Sequence, residues 1–353
     1  MDRRMDAMAL YEEACRRDDA HAGYYNRNVR VGSGGGPVMV RIPTAGAESM
    51  DLSLWPESEL LESIRPYVGA APQLLHAQTD PPFQIHEFIA GQALDTMCPA
   101  GTPLPGQVLD DIGQLFGQLL RVPTTKLPAA PADWPGDGDT AGFAAALLAL
   151  VRAIRADGDR PTQRLYAELG VPGDPCALLE RQAGALRCRP FRLLHADLHR
   201  GNMIADGRRT VFLDWELALW GDPVYDLADH LHKMAYLPRE DARVRSLWWR
   251  AAPADCRPGW VDALAFYLGY ERMKSAVVDT VRWARRIAGA ATPAARRSLA
   301  AELAAKYTAA RPYWEPDAPV PAPDVIERAA DRWAQAPDRV TTAGPPAGPG
   351  GTS

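Results

Sequence analysis

Residues 191–216 read FRLLHADLHRGNMIADGRRTVFLDWE, and this stretch decides how the rest of the chain is read. Residues 191–194 form a short apolar run of strand character, and residues 211–213 form another. A β-hairpin here holds three polar groups around one point. Asp197 and Asn202 lie on the loop before its first arm, and Asp214 stands at the end of its second.

Upstream, the pattern is strand-like from residue 23 to residue 42. Tyr25, Val29 and Val31 alternate with polar neighbours, a Gly-rich turn follows at 32–36, and residues 38–42 are largely β-branched. Residues 83–89 (FQIHEFI) read as a further strand running into Ala90-Gly91. Helices are expected at 9–20 and from Pro56, where Glu57 opens a run with Leu60, Leu61 and Ile64 at helical spacing. Downstream the expected helices are 106–121, 142–156, 176–187, 222–236, 259–288 and 293–310, with a Pro-, Asp- and Gly-rich loop at 123–140. Strands first and helices after give an α+β fold: a small antiparallel-sheet N-lobe and a larger, mainly helical C-lobe. The expected divisions are 1–91, 92–339 and a disordered tail at 340–353, which lacks apolar anchors.

Bulk properties narrow the function. A chain of 353 residues is more than one core usually holds. A net charge of -5 and a pI near 5.8 argue against nucleic-acid binding. No apolar run suits a membrane span, and the N-terminus has no apolar signal region. Five scattered cysteines form no CxxC pair, so neither a zinc site nor a disulfide framework is expected. These features suggest the cytoplasm.

His195-Ala196-Asp197 and Asn202 fit the spacing H-x-D-x-x-x-x-N, the catalytic-loop pattern of kinases. Phosphoryl transfer asks little covalent chemistry of a protein. It needs an in-line hydroxyl, a base beside it and cations to offset phosphate charge. Asp197 is the expected base. Asn202 and Asp214 supply oxygen ligands of the kind Mg²⁺ prefers. His195 and His199 could instead ligate a metal, but no Cys or further His stands near them.

The segment resembles the aminoglycoside phosphotransferase and choline kinase superfamily. His195, Asp197, His199 and Asn202 fit its H-x-D-x-H-x-x-N signature, and Asp214-Trp215-Glu216 with Gly221-Asp222-Pro223…Asp226-Leu227-Ala228 is similar to its continuation. The resemblance implies a protein-kinase-like fold and a Mg²⁺- and ATP-dependent small-molecule kinase. It also implies that Asp226 braces the catalytic loop. From the residues alone, Asp226 reads equally as an acid complementing a helix dipole.

The resemblance extends to the N-lobe. Residues 23–28, including Asn26, are similar to a phosphate-covering hairpin. Arg41 stands where the V-A-I-K pattern has its phosphate-binding Lys, and a planar fork is not an equivalent ligand, which leaves GTP open beside ATP. Glu57 is its expected helical partner, with Glu59 and Glu62 as competitors. Glu87 to Ile89 resembles the hinge whose backbone would meet the nucleotide base. For the acceptor, the resemblance and a composition rich in Ala, Arg, Pro and Gly favour an aminoglycoside, aminocyclitol or related antibiotic-like alcohol. A choline- or ethanolamine-type kinase is the alternative, with Trp and Tyr residues after Trp215 as a potential cage. Glu216, Glu271 and Asp279 are acids that could receive an amino group. A nucleotide-binding pseudokinase is a further alternative, favoured only by Arg41.

Overall fold

The computed structural model describes residues 6–18, 21–22, 26–44 and 52–336. Helix α1 (Ala7–Arg16) precedes strands β1 (His21–Ala22), β2 (Asn26–Ser33) and β3 (Gly36–Pro43). Helix α2 (Glu57–Ile64) then leads to β4 (Leu74–Thr79) and β5 (Pro82–Glu87). The five strands form one antiparallel sheet in the order β1-β2-β3-β5-β4. Alternation explains its inner face: Val29, Val31, Val38, Val40, Phe83 and Ile85 are buried beneath Leu10 and Ala14 of α1. Arg41 sits opposite Asn28 on one side and Gln84 on the other. The β2–β3 turn is a plain connection, as its Gly-rich sequence suggests.

The chain crosses to the large lobe through β6 (Gln92–Ala93) and α3 (Leu94–Met97). Gly91 permits this crossing. Its φ is 153°, and a Cβ there would lie 2.6 Å from the Ile204 side chain and 2.7 Å from the Ala205 carbonyl oxygen. Helices α4 (Gly106–Leu119), α5 (Thr140–Ala156), α6 (Arg160–Glu168) and α7 (Ala177–Ala183) follow. Next come β7 (Arg192–Leu194), β8 (Met203–Ala205), β9 (Thr210–Phe212) and β10 (Leu219–Gly221). Strand β7 pairs with β10, while β6, β8 and β9 make a second small sheet. The rest is helical: α8 (Pro223–Met234), α9 (Pro238–Ala251), α10 (Trp260–Gly289), α11 (Pro293–Trp314) and α12 (Pro323–Ala334).

Helix α8 is buried on nearly every side, from Pro223 to Leu231, so it serves as the lobe's axis rather than a surface helix. Asp222 caps it by accepting from the Val224 N–H at 3.0 Å, with Pro223 in the first turn. The buried Asp222 carboxylate also pairs with Arg189 and accepts from the Tyr267 hydroxyl at 2.9 Å. The long α10 packs along α8, burying Tyr267, Tyr270, Met273 and Val277.

The small sheet region and larger helical region agree with the α+β expectation. Boundaries differ in several places. The first helix stops at Arg16, and the expected helix 176–187 shortens to Ala177–Ala183. The last expected helix instead runs on through Pro312 to Trp314. Helices α6, α9 and α12 and strands β4 and β10 were not expected. In α9 only Glu240, Val244 and Trp248 are buried, too thin an apolar stripe to stand out. The hairpin start at 23–25 and the tail at 340–353 lie outside the described residues. Among the described residues, no helix is long and apolar enough to cross a membrane.

Candidate active site

The loop between β7 and β8 carries Asp197 and Asn202, and the end of β9 delivers Asp214 two residues later. Two residues of this region have left-handed backbones despite carrying a Cβ: Ala196 at φ 59° and Asp214 at φ 66°. Such geometry costs about 1–3 kcal/mol per residue and persists only where neighbours impose it. Asp226 imposes it on Ala196. Its Oδ1 accepts the Ala196 N–H at 2.8 Å, and the His195 N–H also supports the carboxylate. Burial nevertheless pushes Asp226 up to about 6. The expectation that Asp226 braces the loop therefore has direct geometry behind it.

Buried histidines fasten the loop further. His195 Nε2 lies 3.1 Å from the Leu213 carbonyl, and its ring sits against Trp215. His230 of α8 has Nδ1 2.9 Å from the Leu198 carbonyl and Nε2 2.7 Å from the Tyr236 hydroxyl. Burial lowers both histidines to about 4, so both are neutral at pH 7.

Asp197 is held from several sides. Lys233 Nζ lies 2.7 Å from its Oδ1, Asn202 Nδ2 lies 2.8 Å from its Oδ2, and His199 Nε2 stands 3.6 Å away. Burial opposes the carboxylate, but Lys233 and His199 more than offset it and hold Asp197 well below the usual carboxylate range. Lys233 is absent from the expected site. The one sequence signal for it is the Asp229–Lys233 spacing of four on a helix that follows the catalytic segment.

Across the lobes a second cluster gathers. Arg41 forks between Glu57 Oε1 at 3.3 Å and Asp214 Oδ1 at 2.7 Å, with Glu216 at 3.9 Å. Glu57 also accepts the Trp215 N–H at 3.0 Å, so α2 is tied to the strand end carrying Asp214. Burial disfavours the Arg41 cation, but the three acids around it more than offset that and raise it. Burial and the Asp214 charge push Glu216 up to about 8. Glu59 and Glu62 do not compete: Glu57 is the buried member of α2.

The structure thus brings Asn26, Arg41, Glu57 and Asp214 together, because Asn26 Nδ2 donates to Glu216 at 2.7 Å. It brings Asp197 and Asn202 together on the opposite wall. Glu87 and Ile89 stay apart from both. The Glu87 carboxylate accepts the Gln73 N–H at 2.9 Å, turned toward the start of β4. Ile89 lies past the end of β5, beside Phe88, whose ring carries the Arg30 guanidinium at 4.4 Å.

The acids considered for an amino group are engaged elsewhere. Glu216 faces the Arg41 cluster. Glu271 is buried and pairs with Lys274 at 3.0 Å, and Asp279 pairs with Lys306 at 2.8 Å. Neither is the solvated surface charge that sequence favours. The aromatic residues are also taken up. Trp215 and Trp248 are buried, and the cations over Trp249, Trp283 and Trp314 are the chain's own Arg257, Arg286 with Lys306, and Arg311.

Among the described residues, no three His, Cys, Asp or Glu side chains converge as a metal cage. A site of mixed amide and carboxylate oxygens does fit a hard cation that keeps waters and phosphate oxygens as its remaining ligands. Because Asn202 Nδ2 is committed to Asp197, its amide oxygen is the atom left for such a cation, with the Asp214 carboxylate as the charged partner.

Solved structures with this architecture span nearly the whole chain. A choline/ethanolamine kinase family protein from Mesorhizobium loti has a TM-score of 0.52 at 16% identity, covering 89% of this chain and 92% of its own. A macrolide 2'-phosphotransferase from Brachybacterium faecium has a TM-score of 0.51 at 16% identity, covering 84% and 97%. A thermostable mutant of an aminoglycoside phosphotransferase, in ternary complex with ADP and hygromycin B, has a TM-score of 0.52 at 16% identity, covering 86% and 97%. No curated protein matches the chain by sequence. The sequence itself matches the phosphotransferase enzyme family over residues 19–275, which takes in both polar clusters, and the chain belongs to that family.

Proposed function

We propose that the protein is an ATP-dependent O-phosphotransferase that moves the γ-phosphoryl group to a hydroxyl of a small molecule. The observation that carries this reading is the state of Asp197: ionised and held between Lys233 and Asn202, on the loop that leads into the β8–β9 pair that delivers Asp214. A base in that position accepts the proton of an acceptor hydroxyl as it attacks the phosphoryl group. The strained Ala196 backbone and its Asp226 brace fix the base before substrate arrives, so little reorganisation is needed at the moment of reaction.

Asn26, Arg41 and Glu57 form the nucleotide side in this reading, with the backbone around Glu87 and Ile89 meeting the base, whether adenine or guanine. Asn202 and Asp214 would hold Mg²⁺, which when bound offsets the negative charge of the phosphates. Five free cysteines fit a reducing, cytoplasmic setting.

For the acceptor, we favour an aminoglycoside, aminocyclitol or related antibiotic-type alcohol, in resistance or biosynthesis. The choline-type alternative cannot use Trp249, Trp283 or Trp314 as open cage faces, since the chain's own cations lie over them. The test is an ATP- and GTP-consumption screen over aminoglycosides, aminocyclitols, nucleoside antibiotics and choline. Turnover with one of the antibiotics supports the reading. Turnover with choline alone overturns the acceptor, and nucleotide consumption with none overturns the activity.

A further inference from the structure

Helix α8 carries a lysine whose position exceeds what folding requires. Lys233 Nζ lies 2.7 Å from Asp197 Oδ1, 3.2 Å from the Ala196 carbonyl oxygen and 2.8 Å from Asp229. Its three partners come from two elements, the catalytic loop and α8 itself. The neighbouring α10 faces this group with the Glu271–Lys274 pair.

We propose that Lys233 is a positioning residue for phosphoryl transfer, which sets the orientation of the Asp197 carboxylate by holding its Oδ1 while Asn202 holds Oδ2. This rests on the phosphotransfer reading above. A carboxylate turns about its χ2 torsion with little preference of its own, so one hydrogen bond would leave it free to rotate. Two donors on opposite oxygens remove that freedom. Each oxygen has two lone-pair positions, so each keeps one for the acceptor hydroxyl.

The rest of the contact set explains why a lysine rather than a neutral donor stands here. Asp229 is fully buried, and neither of its oxygens has a well-directed hydrogen bond. It anchors Lys233 as a charge four residues along the same helix. Two of the ammonium's three donors meet Asp197 and the Ala196 carbonyl, and Asp229 pairs with it at 2.8 Å without a directed hydrogen bond. Because α8 is also the helix whose Asp226 holds the Ala196 N–H, a single rigid element fixes both the backbone and the side chain of the catalytic loop. Loop and helix thereby form one unit, and Asp197 is aimed by Lys233 of the helix together with Asn202 of its own loop.

Lys233→Met alone leaves Asp229 as an unpaired buried acid and risks unfolding. The test therefore uses Lys233→Met/Asp229→Asn beside Lys233→Arg. Steady-state kinetics are measured with the acceptor found for the wild type, together with a crystal structure of the double variant. The expected result is a loss of about 100-fold in kcat with KM for ATP and acceptor within about threefold. Partial recovery is expected in Lys233→Arg, along with an Asp197 carboxylate rotated away from Asn202 in the double variant.

A folded double variant with kcat within threefold of wild type overturns the proposal. So does an unmoved carboxylate, and so does a rise in acceptor KM alone, which would make Lys233 a substrate ligand. If the wild type transfers phosphate to no alcohol while Asp197 rotates as expected in the crystal, the failure lies in the phosphotransfer reading, and the catalytic part of this inference falls with it.

Discussion

The two walls of the cleft hold charge in opposite ways. Where the lobes meet, one guanidinium (Arg41) faces three carboxylates, Glu57 from the N-lobe and Asp214 and Glu216 from the end of the catalytic segment. On the catalytic-loop wall, lysines stand between the acids: Lys233 between Asp197 and Asp229, and Lys274 beside Glu271. The first wall has surplus negative charge and gains from an added cation. Burial, and after it the neighbouring Asp214 charge, push Glu216 up to about 8. On the second wall the lysines already sit in contact with Asp197, Asp229 and Glu271. A nucleotide arriving with its metal would relieve the surplus around Asp214, while Lys233 keeps Asp197 in place.

Asp214→Asn is the largest break in this comparison. It removes the charged metal partner and lightens the surplus at once. Mg²⁺-dependent ATP affinity is expected to fall about 100-fold by calorimetry, with metal-free nucleotide binding little changed. The thermal stabilisation that Mg²⁺ with ADP gives the wild type should shrink accordingly. If Asp214→Asn keeps that stabilisation in full, the acidic wall is not the metal side.

Arg41→Met sharpens the comparison from the other direction. It strands Glu57 as a buried charge, and breaking such a pair costs about 3–5 kcal/mol in denaturant unfolding. Arg41→Lys keeps the charge but cannot fork between Glu57 and Asp214. Its expected signature is a smaller stability loss with a KM for ATP raised about tenfold. Equal behaviour of Met and Lys at this position would mean that the fork has no role.

The last comparison is one of pH dependence, on the catalytic-loop wall. His195 and His230 are buried and lowered to about 4 from an ordinary 6.5. The unfolded chain therefore binds these protons first as pH falls. Stability is full above pH 6.5 and declines toward pH 4, by about 1.4 kcal/mol per pH unit for each histidine. His230→Asn keeps a donor for the Leu198 carbonyl and should flatten that decline by one proton's worth in melting temperatures taken from pH 7 to pH 4. An unchanged slope would remove His230 from the account.

The catalytic-loop wall was half legible in the sequence. Asp197, Asn202 and Asp214 stand out because their spacing is local and flanked by apolar strands. Asp226 entered through the family resemblance, since its own place in the first turn of α8 reads equally as an acid complementing a helix dipole. Lys233 did not, since a lysine four residues after an aspartate on a helix is an ordinary surface pair. Only the burial of α8 on all sides makes it unusual. On the other wall, Glu57 was found by its position in the first turn of α2. Glu216 was misplaced toward the acceptor because its partners, Asn26 and Arg41, lie 190 and 175 residues away in sequence. Long helices with broad apolar stripes were read correctly in kind. Helix α9 was missed because its apolar stripe is thin, β10 because it is only three residues long, and β4 because none of its residues is buried.

The most direct test of the central claim is transfer of labelled phosphate from ATP to a small-molecule hydroxyl by wild type and Asp197→Ala, with nucleotide binding measured in both. The account predicts transfer by the wild type, a loss of at least about 1,000-fold in Asp197→Ala, and nucleotide affinity within a few fold. Retained transfer by a folded Asp197→Ala protein would contradict it.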